Sequence, residues 1–157
     1  QDDDLAVQTD GVTLIVDPVM IATSGAVLLR PDAIAAIRDE LLPLATIATP
    51  NLDEAAHLLG VSLHSLDDLR AAARELHHRH QCAFLVKGGH LKNTADAVDV
   101  FWDGRQELLL STPFIRGVST HGTGCTYSAA IAALPSGDMD DIASLCRCSD
   151  CLRLRAN

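Results

Sequence analysis

Residues Ala45-Thr46-Ile47-Ala48-Thr49-Pro50-Asn51-Leu52-Asp53-Glu54-Ala55-Ala56-His57-Leu58-Leu59-Gly60 decide the fold. A short apolar run, Ala45 to Thr49, is broken by Pro50-Asn51 and followed by apolar positions at Ala55, Leu58 and Leu59 that stop at Gly60. Proline interrupts a strand because it lacks the N–H that a ladder needs, and glycine after the last periodic position is a helix stop. The stretch therefore predicts a strand feeding directly into a helix, the unit from which parallel sheets with crossover helices are built.

The same texture extends outward. Upstream, Val12-Thr13-Leu14-Ile15-Val16 reads as a buried strand ended by Asp17-Pro18. Pro31 to Leu42 places Ile34, Ile37, Leu41 and Leu42 on one face of a helix of about three turns, with Pro31 in its first turn and Pro43 just past its end. Downstream, Ser65 caps a helix through about Arg79, with Asp68 three residues beyond the cap and Leu66, Leu69, Ala73 and Leu76 at helical spacing. Three histidines, His77, His78 and His80, fall at the end of this helix, where positive charge suits its dipole. Cys82 to Val86 is a third strand, and Ala97 to Trp102, Asp103-Gly104 and Glu107 to Leu110 read as a β-hairpin. Finally Gly122-Thr123-Gly124-Cys125 opens an alanine-rich helix through Ala133. The sum is an α/β domain.

Composition bounds the function. With 157 residues, 48% hydrophobic and 21% charged, the chain suits one domain with a core. Lys and Arg number 12 against 21 Asp and Glu, a formal charge of -9 that opposes binding to a phosphate backbone. Aromatics at 3% leave little for base-stacking platforms. No uncharged apolar run reaches the roughly 18 to 20 residues that span a bilayer, and Gln1-Asp2-Asp3-Asp4 is the reverse of a basic signal-peptide start, so a cytoplasmic protein is expected. Five unevenly spaced cysteines fit a reducing compartment better than a disulfide framework.

Four places carry chemistry. Glycines at 122 and 124 before a helix let several free N–H groups aim at one point, an anion-hole geometry, and Cys125 in the first turn would have a more accessible thiolate; a plain glycine turn beside a small buried Cys reads equally well. Asp17 follows a strand, at the edge where open α/β sheets bind ligands, or serves as a turn cap. Asn51 and Glu54 face the same strand-end crevice, or form a helix N-cap with an acidic first turn. Lys87, again after a strand and before Gly88-Gly89, is placed to meet phosphate or to be a solvated lysine.

Taken together and in order, Val16-Asp17-Pro18-Val19-Met20, Thr23-Ser24-Gly25, Leu41-Leu42-Pro43-Leu44-Ala45, Thr49-Pro50-Asn51-Leu52-Asp53-Glu54-Ala55, Leu85-Val86-Lys87-Gly88-Gly89-His90-Leu91 and Thr120-His121-Gly122-Thr123-Gly124-Cys125-Thr126 resemble the hydroxymethylpyrimidine/phosphomethylpyrimidine kinases of thiamine biosynthesis. The resemblance covers about Val12 to Ala133. It implies a ribokinase-like, three-layer α/β/α fold with a mainly parallel sheet, here the C-terminal portion over residues 1–138, followed by an atypical Cys/Arg tail over 139–157. It further implies ATP-dependent phosphorylation of a hydroxymethylpyrimidine and of its monophosphate, with Mg2+. Carried over by motif, Gly122, Thr123 and Gly124 form the anion hole and Cys125 accepts or orients the substrate hydroxyl proton. Lys87, Asn51, Thr120 and His121 serve the ATP phosphates, Glu54 and Asp17 the metal, and Val19 with Cys125 the pyrimidine. A homodimer is the implied assembly.

The family domain is longer at its N-terminal side, which leaves two further readings: a nucleotide-binding remnant that has lost its substrate half, and a pyridoxal kinase-like enzyme. A cysteine hydrolase pairing Cys125 with His121 lacks a third orienting group. Cys146, Cys148 and Cys151 lack a fourth ligand for zinc, and the tail reads as a truncated or altered segment.

Overall fold

The computed structural model describes residues 12–22, 25–89, 91, 96–113, 123–133 and 140. Among these residues five strands form one sheet in the order β1-β2-β3-β4-β5: β1 Ile15–Val16, β2 Ile47–Ala48, β3 Ala83–Lys87, β4 Asp96–Trp102 and β5 Glu107–Pro113. The first three run parallel, with Ile15 opposite Ile47 and Ala48 opposite Phe84. The last two are antiparallel additions, so the sheet is mixed. The Asp-Gly hairpin expected between Trp102 and Glu107 is present: Gly104 has φ +92°, and the Asp103 carboxylate accepts hydrogen bonds from the N–H groups of Arg105 and Gln106. Glycine takes that positive φ without the Cβ penalty.

Register sorts the side chains into two layers. Val16, Ala48, Phe84, Val86 and Val100 share a core with Ile34, Leu42, Leu52, Ala55, Leu58, Leu69, Ala73 and Leu76 from α1 (Pro31–Ala36), the turns after it, α2 (Leu52–Leu59) and α3 (Leu66–His80). Alternation turns Ile47, Leu85 and Phe101 to the opposite face, where they too are buried. There α4 (Thr123–Ala132) packs against β1, burying Ile131. Helix, sheet and helix give the three layers expected from the resemblance.

Both internal helix starts carry the expected chemistry. The Asn51 side chain accepts from the Glu54 N–H while Glu54 accepts from the Asn51 N–H, and Ser65 with Asp68 does the same for α3. Gly60 closes α2 in the left-handed region at φ +69°.

Two expectations need correction. The helix from Pro31 is regular only to Ala36; Ile37–Leu41 widens into a π segment and Leu42–Leu44 tightens into a 3-10 turn. Pro43 has no N–H and its ring would strike the carbonyl four residues back, so the α register cannot run through it. The wider turn shifts the phase: Leu42 is fully buried, whereas Leu41 is left exposed. At the end of α3, His77 donates from Nδ1 to the Cys82 carbonyl at 2.8 Å, and His80 lies buried with its ring tilted against Phe84. These rings pack and bond rather than stand as solvated dipole partners. The tail over 139–157 and its cysteines lie outside the described residues, apart from Asp140.

Candidate active site

The C-terminal ends of the three parallel strands deliver Asp17, Thr49 and Lys87 side by side. Register explains this: residues 15 and 17, 47 and 49, and 85 and 87 alternate onto the α4 face of the sheet. Lys87 Nζ donates to Asp17 Oδ1 at 3.0 Å, with both side chains largely buried. Thr49, fully buried, donates from Oγ1 to the same Asp17 oxygen at 3.2 Å and lies 2.9 Å from Ser128 Oγ of α4. The Lys87 N–H donates to the Pro50 carbonyl, and a single parallel bridge pairs Asn51 with Lys87, so the α2 N-terminus is fixed beside the lysine.

Glu54 is the hinge of the second half of the site. Its side chain is 2% exposed, yet Oε2 accepts from the Asn51 N–H at 2.8 Å and Oε1 from the Met20 N–H at 3.2 Å. Burial raises its pKa above the ordinary carboxylate range, opposed by the backbone hydrogen bonds and by the nearby Lys87 charge. The carboxylate thereby ties the loop after β1 to the start of α2. In that loop Val19 is 51% exposed, while Met20 is fully buried. Behind Lys87, the Gly88 N–H donates to the buried Asp99 carboxylate of β4 at 2.7 Å.

Of the residues singled out in the sequence, Asp17, Asn51, Glu54 and Lys87 meet at one strand-end edge with Val19 on the adjoining loop. Thr123, Gly124 and Cys125 enter through the backbone of α4, whose first turn they form. Thr120, His121 and Gly122 lie outside the described residues. Sequence reading missed Thr49, Ser128 and Asp99. Their signal was a polar side chain inside an otherwise apolar run, which becomes meaningful only once burial is known.

This is an open α/β sheet with charged groups gathered at the carboxyl ends of its strands, the place where such sheets bind ligands. The profile of the phosphomethylpyrimidine kinase family matches residues 4–143, and the chain belongs to that family. It is 49% identical over 124 residues to the hydroxymethylpyrimidine/phosphomethylpyrimidine kinase of Rhizobium meliloti, covering 78% of this chain and 46% of the relative. Its fold is ribokinase-like. It superposes on the phosphomethylpyrimidine kinase of Clostridium difficile 630 with TM-score 0.71 and 32% identity, covering 86% of this chain and 54% of that one. The pyridoxal kinase of Staphylococcus aureus in complex with AMP-PCP gives TM-score 0.72 and 32% identity, with 87% and 53% covered. The chain thus spans about half the length of these relatives. Among the described residues no helix is long and apolar enough to cross a membrane.

Proposed function

We propose that this chain carries the phosphoryl-transfer part of a kinase that uses ATP to phosphorylate 4-amino-5-hydroxymethyl-2-methylpyrimidine, and then its monophosphate, in thiamine biosynthesis. The observation that carries this reading is the Asp17–Lys87 pair at the strand ends, joined through Thr49 to the helix that begins with Thr123-Gly124-Cys125. Lys87 would exchange part of its pairing with Asp17 for phosphate oxygens and so neutralise charge that builds during transfer. The first-turn N–H groups of α4 have no partners within the helix and would bind the transferred group, with Gly122 completing the turn. Cys125 would accept the proton of the substrate hydroxyl as the new bond to phosphorus forms. Thr120, His121 and Asn51 would complete the nucleotide contacts, and Val19 would cover the pyrimidine.

The donors fit magnesium. Asp17 and Glu54 supply hard oxygens of the kind magnesium takes, and phosphate oxygens and water would complete the coordination. In this reading Glu54, already accepting from two backbone N–H groups, would hold the ion through its bound waters beside Asn51, and Asp17 would support the metal-phosphate site. When bound, the ion supplies further neutralisation of the phosphate charge. The net charge of -9 supports small-molecule partners over nucleic acid; a second copy of the chain as the assembly and the cytoplasm as the location complete the proposal.

The test is ADP production by the purified chain with magnesium, supplied in turn with the hydroxymethylpyrimidine and with pyridoxal. Pyrimidine-dependent turnover that falls by roughly 10²-fold or more in both Cys125→Ala and Lys87→Ala is expected. Pyridoxal kinases superpose equally well, so a preference for pyridoxal would replace the substrate in this reading. Nucleotide binding without turnover would leave a nucleotide-binding remnant.

A further inference from the structure

We infer that Ser128 and Thr49 are positioning residues that fix where the N-terminus of α4 sits relative to the Asp17–Lys87 pair. The two residues form a continuous chain. A carboxylate only accepts, so Thr49 Oγ1 donates to Asp17, and the same hydroxyl lies 2.9 Å from Ser128 Oγ. Ser128, Thr49 and Asp17 are thus linked in series, with Lys87 donating to the same Asp17 oxygen. Thr49 is fully buried and Ser128 nearly so, at 8% exposure. In such surroundings a directional hydrogen bond is hard to replace with water.

The composition of α4 gives this bond its importance. The helix reads Thr-Gly-Cys-Thr-Tyr-Ser-Ala-Ala-Ile-Ala, mostly small side chains, with Ile131 buried against the sheet near its C-terminal end. Apolar contacts between small residues are non-directional, whereas a buried hydrogen bond singles out one geometry. Ser128 lies five residues from the start, about 7.5 Å along the axis at 1.5 Å per residue. A shift of the helix at Ser128 is carried rigidly to its first-turn N–H groups, and a displacement near 1 Å at a reacting centre costs on the order of 10²-fold in rate. This inference rests on the kinase reading for its consequence and on the hydrogen-bonded chain alone for its geometry.

The test compares Ser128→Ala, Thr49→Val, Thr49→Ser and the double variant Ser128→Ala/Thr49→Val. Hydrogen exchange of the α4 amides is measured whether or not the chain turns over, so it separates this inference from the kinase reading. Exchange is expected to quicken in Ser128→Ala and Thr49→Val and to return toward wild type in Thr49→Ser, which keeps the hydroxyl. In turnover, kcat should fall roughly 10- to 100-fold in the first two with KM for ATP changed less than about threefold. The double variant should be no worse than Thr49→Val alone, because both remove one chain. Unchanged α4 exchange, additive losses, or a Thr49→Ser variant as impaired as Thr49→Val would each overturn the assignment.

Discussion

Gly88 shows how little room the site has behind Lys87. A Cβ at this position would run into the Val98 carbonyl oxygen and come within 2.6 Å of Leu69 Cδ2, and neither the β4 backbone nor the α3 core can retreat cheaply. Gly88→Ala should therefore lower stability by about 1–3 kcal/mol, read as a shift of the urea midpoint, and an unchanged midpoint would show that β4 yields. Cys82 is a cysteine of the core. Burial pushes its thiol up to about 12, so it should resist alkylation in the folded protein and react only on unfolding, as mass mapping of labelled peptides would show. His80 sets a pH limit. Burial, helped by the Arg79 and Arg38 charges and opposed by Asp39, holds its pKa below the usual 6.5. The unfolded chain then binds the proton that the fold refuses, so stability falls as pH drops below about 6.5. Glu54, raised by burial, pulls the other way, since the fold keeps its proton longer than the unfolded chain does. The clean measurement is thus the difference between wild type and His80→Phe: the variant should lose less stability between about pH 7 and pH 5.5. Equal slopes would remove His80 from the account. The burial of Cys82 was legible as part of an apolar strand, but that of His80 was not, because in sequence a histidine at a helix end is indistinguishable from one folded under it.

At the scale of elements, caps were legible and phases were not. Asn51 with Glu54 and Ser65 with Asp68 announce their helices because capping chemistry is local to four residues. The π segment escaped because its cause, Pro43, reads as punctuation after a helix rather than as a disturbance before it. The α2 cap also does more than its local pattern states. Asn51→Ala removes one arm of the box and should cost about 0.5–2 kcal/mol in thermal or denaturant unfolding. Glu54→Ala should cost more, because it also strands the buried Met20 N–H, whose partner it is. If the two variants proved equally stable, the bridge from α2 to the β1 loop would be a passive contact. Glu54→Gln should recover part of the loss, since its amide oxygen can still accept from one of the two N–H groups.

Across the whole molecule, the order of elements and the residues at the strand ends could be read from one dimension, since strand ends are marked by the residues that stop them. The partners that join those ends could not. Asp17 meets Thr49 across 32 residues of chain and Thr49 meets Ser128 across 79, and no local pattern encodes either meeting. The strand order, sequential from one edge of the sheet to the other, has a consequence in time. The β3–β4–β5 pairs join segments that are neighbours along the chain, whereas β1 reaches β2 only after α1 has been laid down, and α4 returns to β1 from the far end. Because short closures precede long ones, the antiparallel half should acquire protection first in pulse-labelled hydrogen exchange, and the amides of β1 and α4 last. The strand ends and helix proposed to meet ligands are then the part that folds last, and any molecule that bridges Asp17, Lys87 and α4 would speed no early step but would slow unfolding.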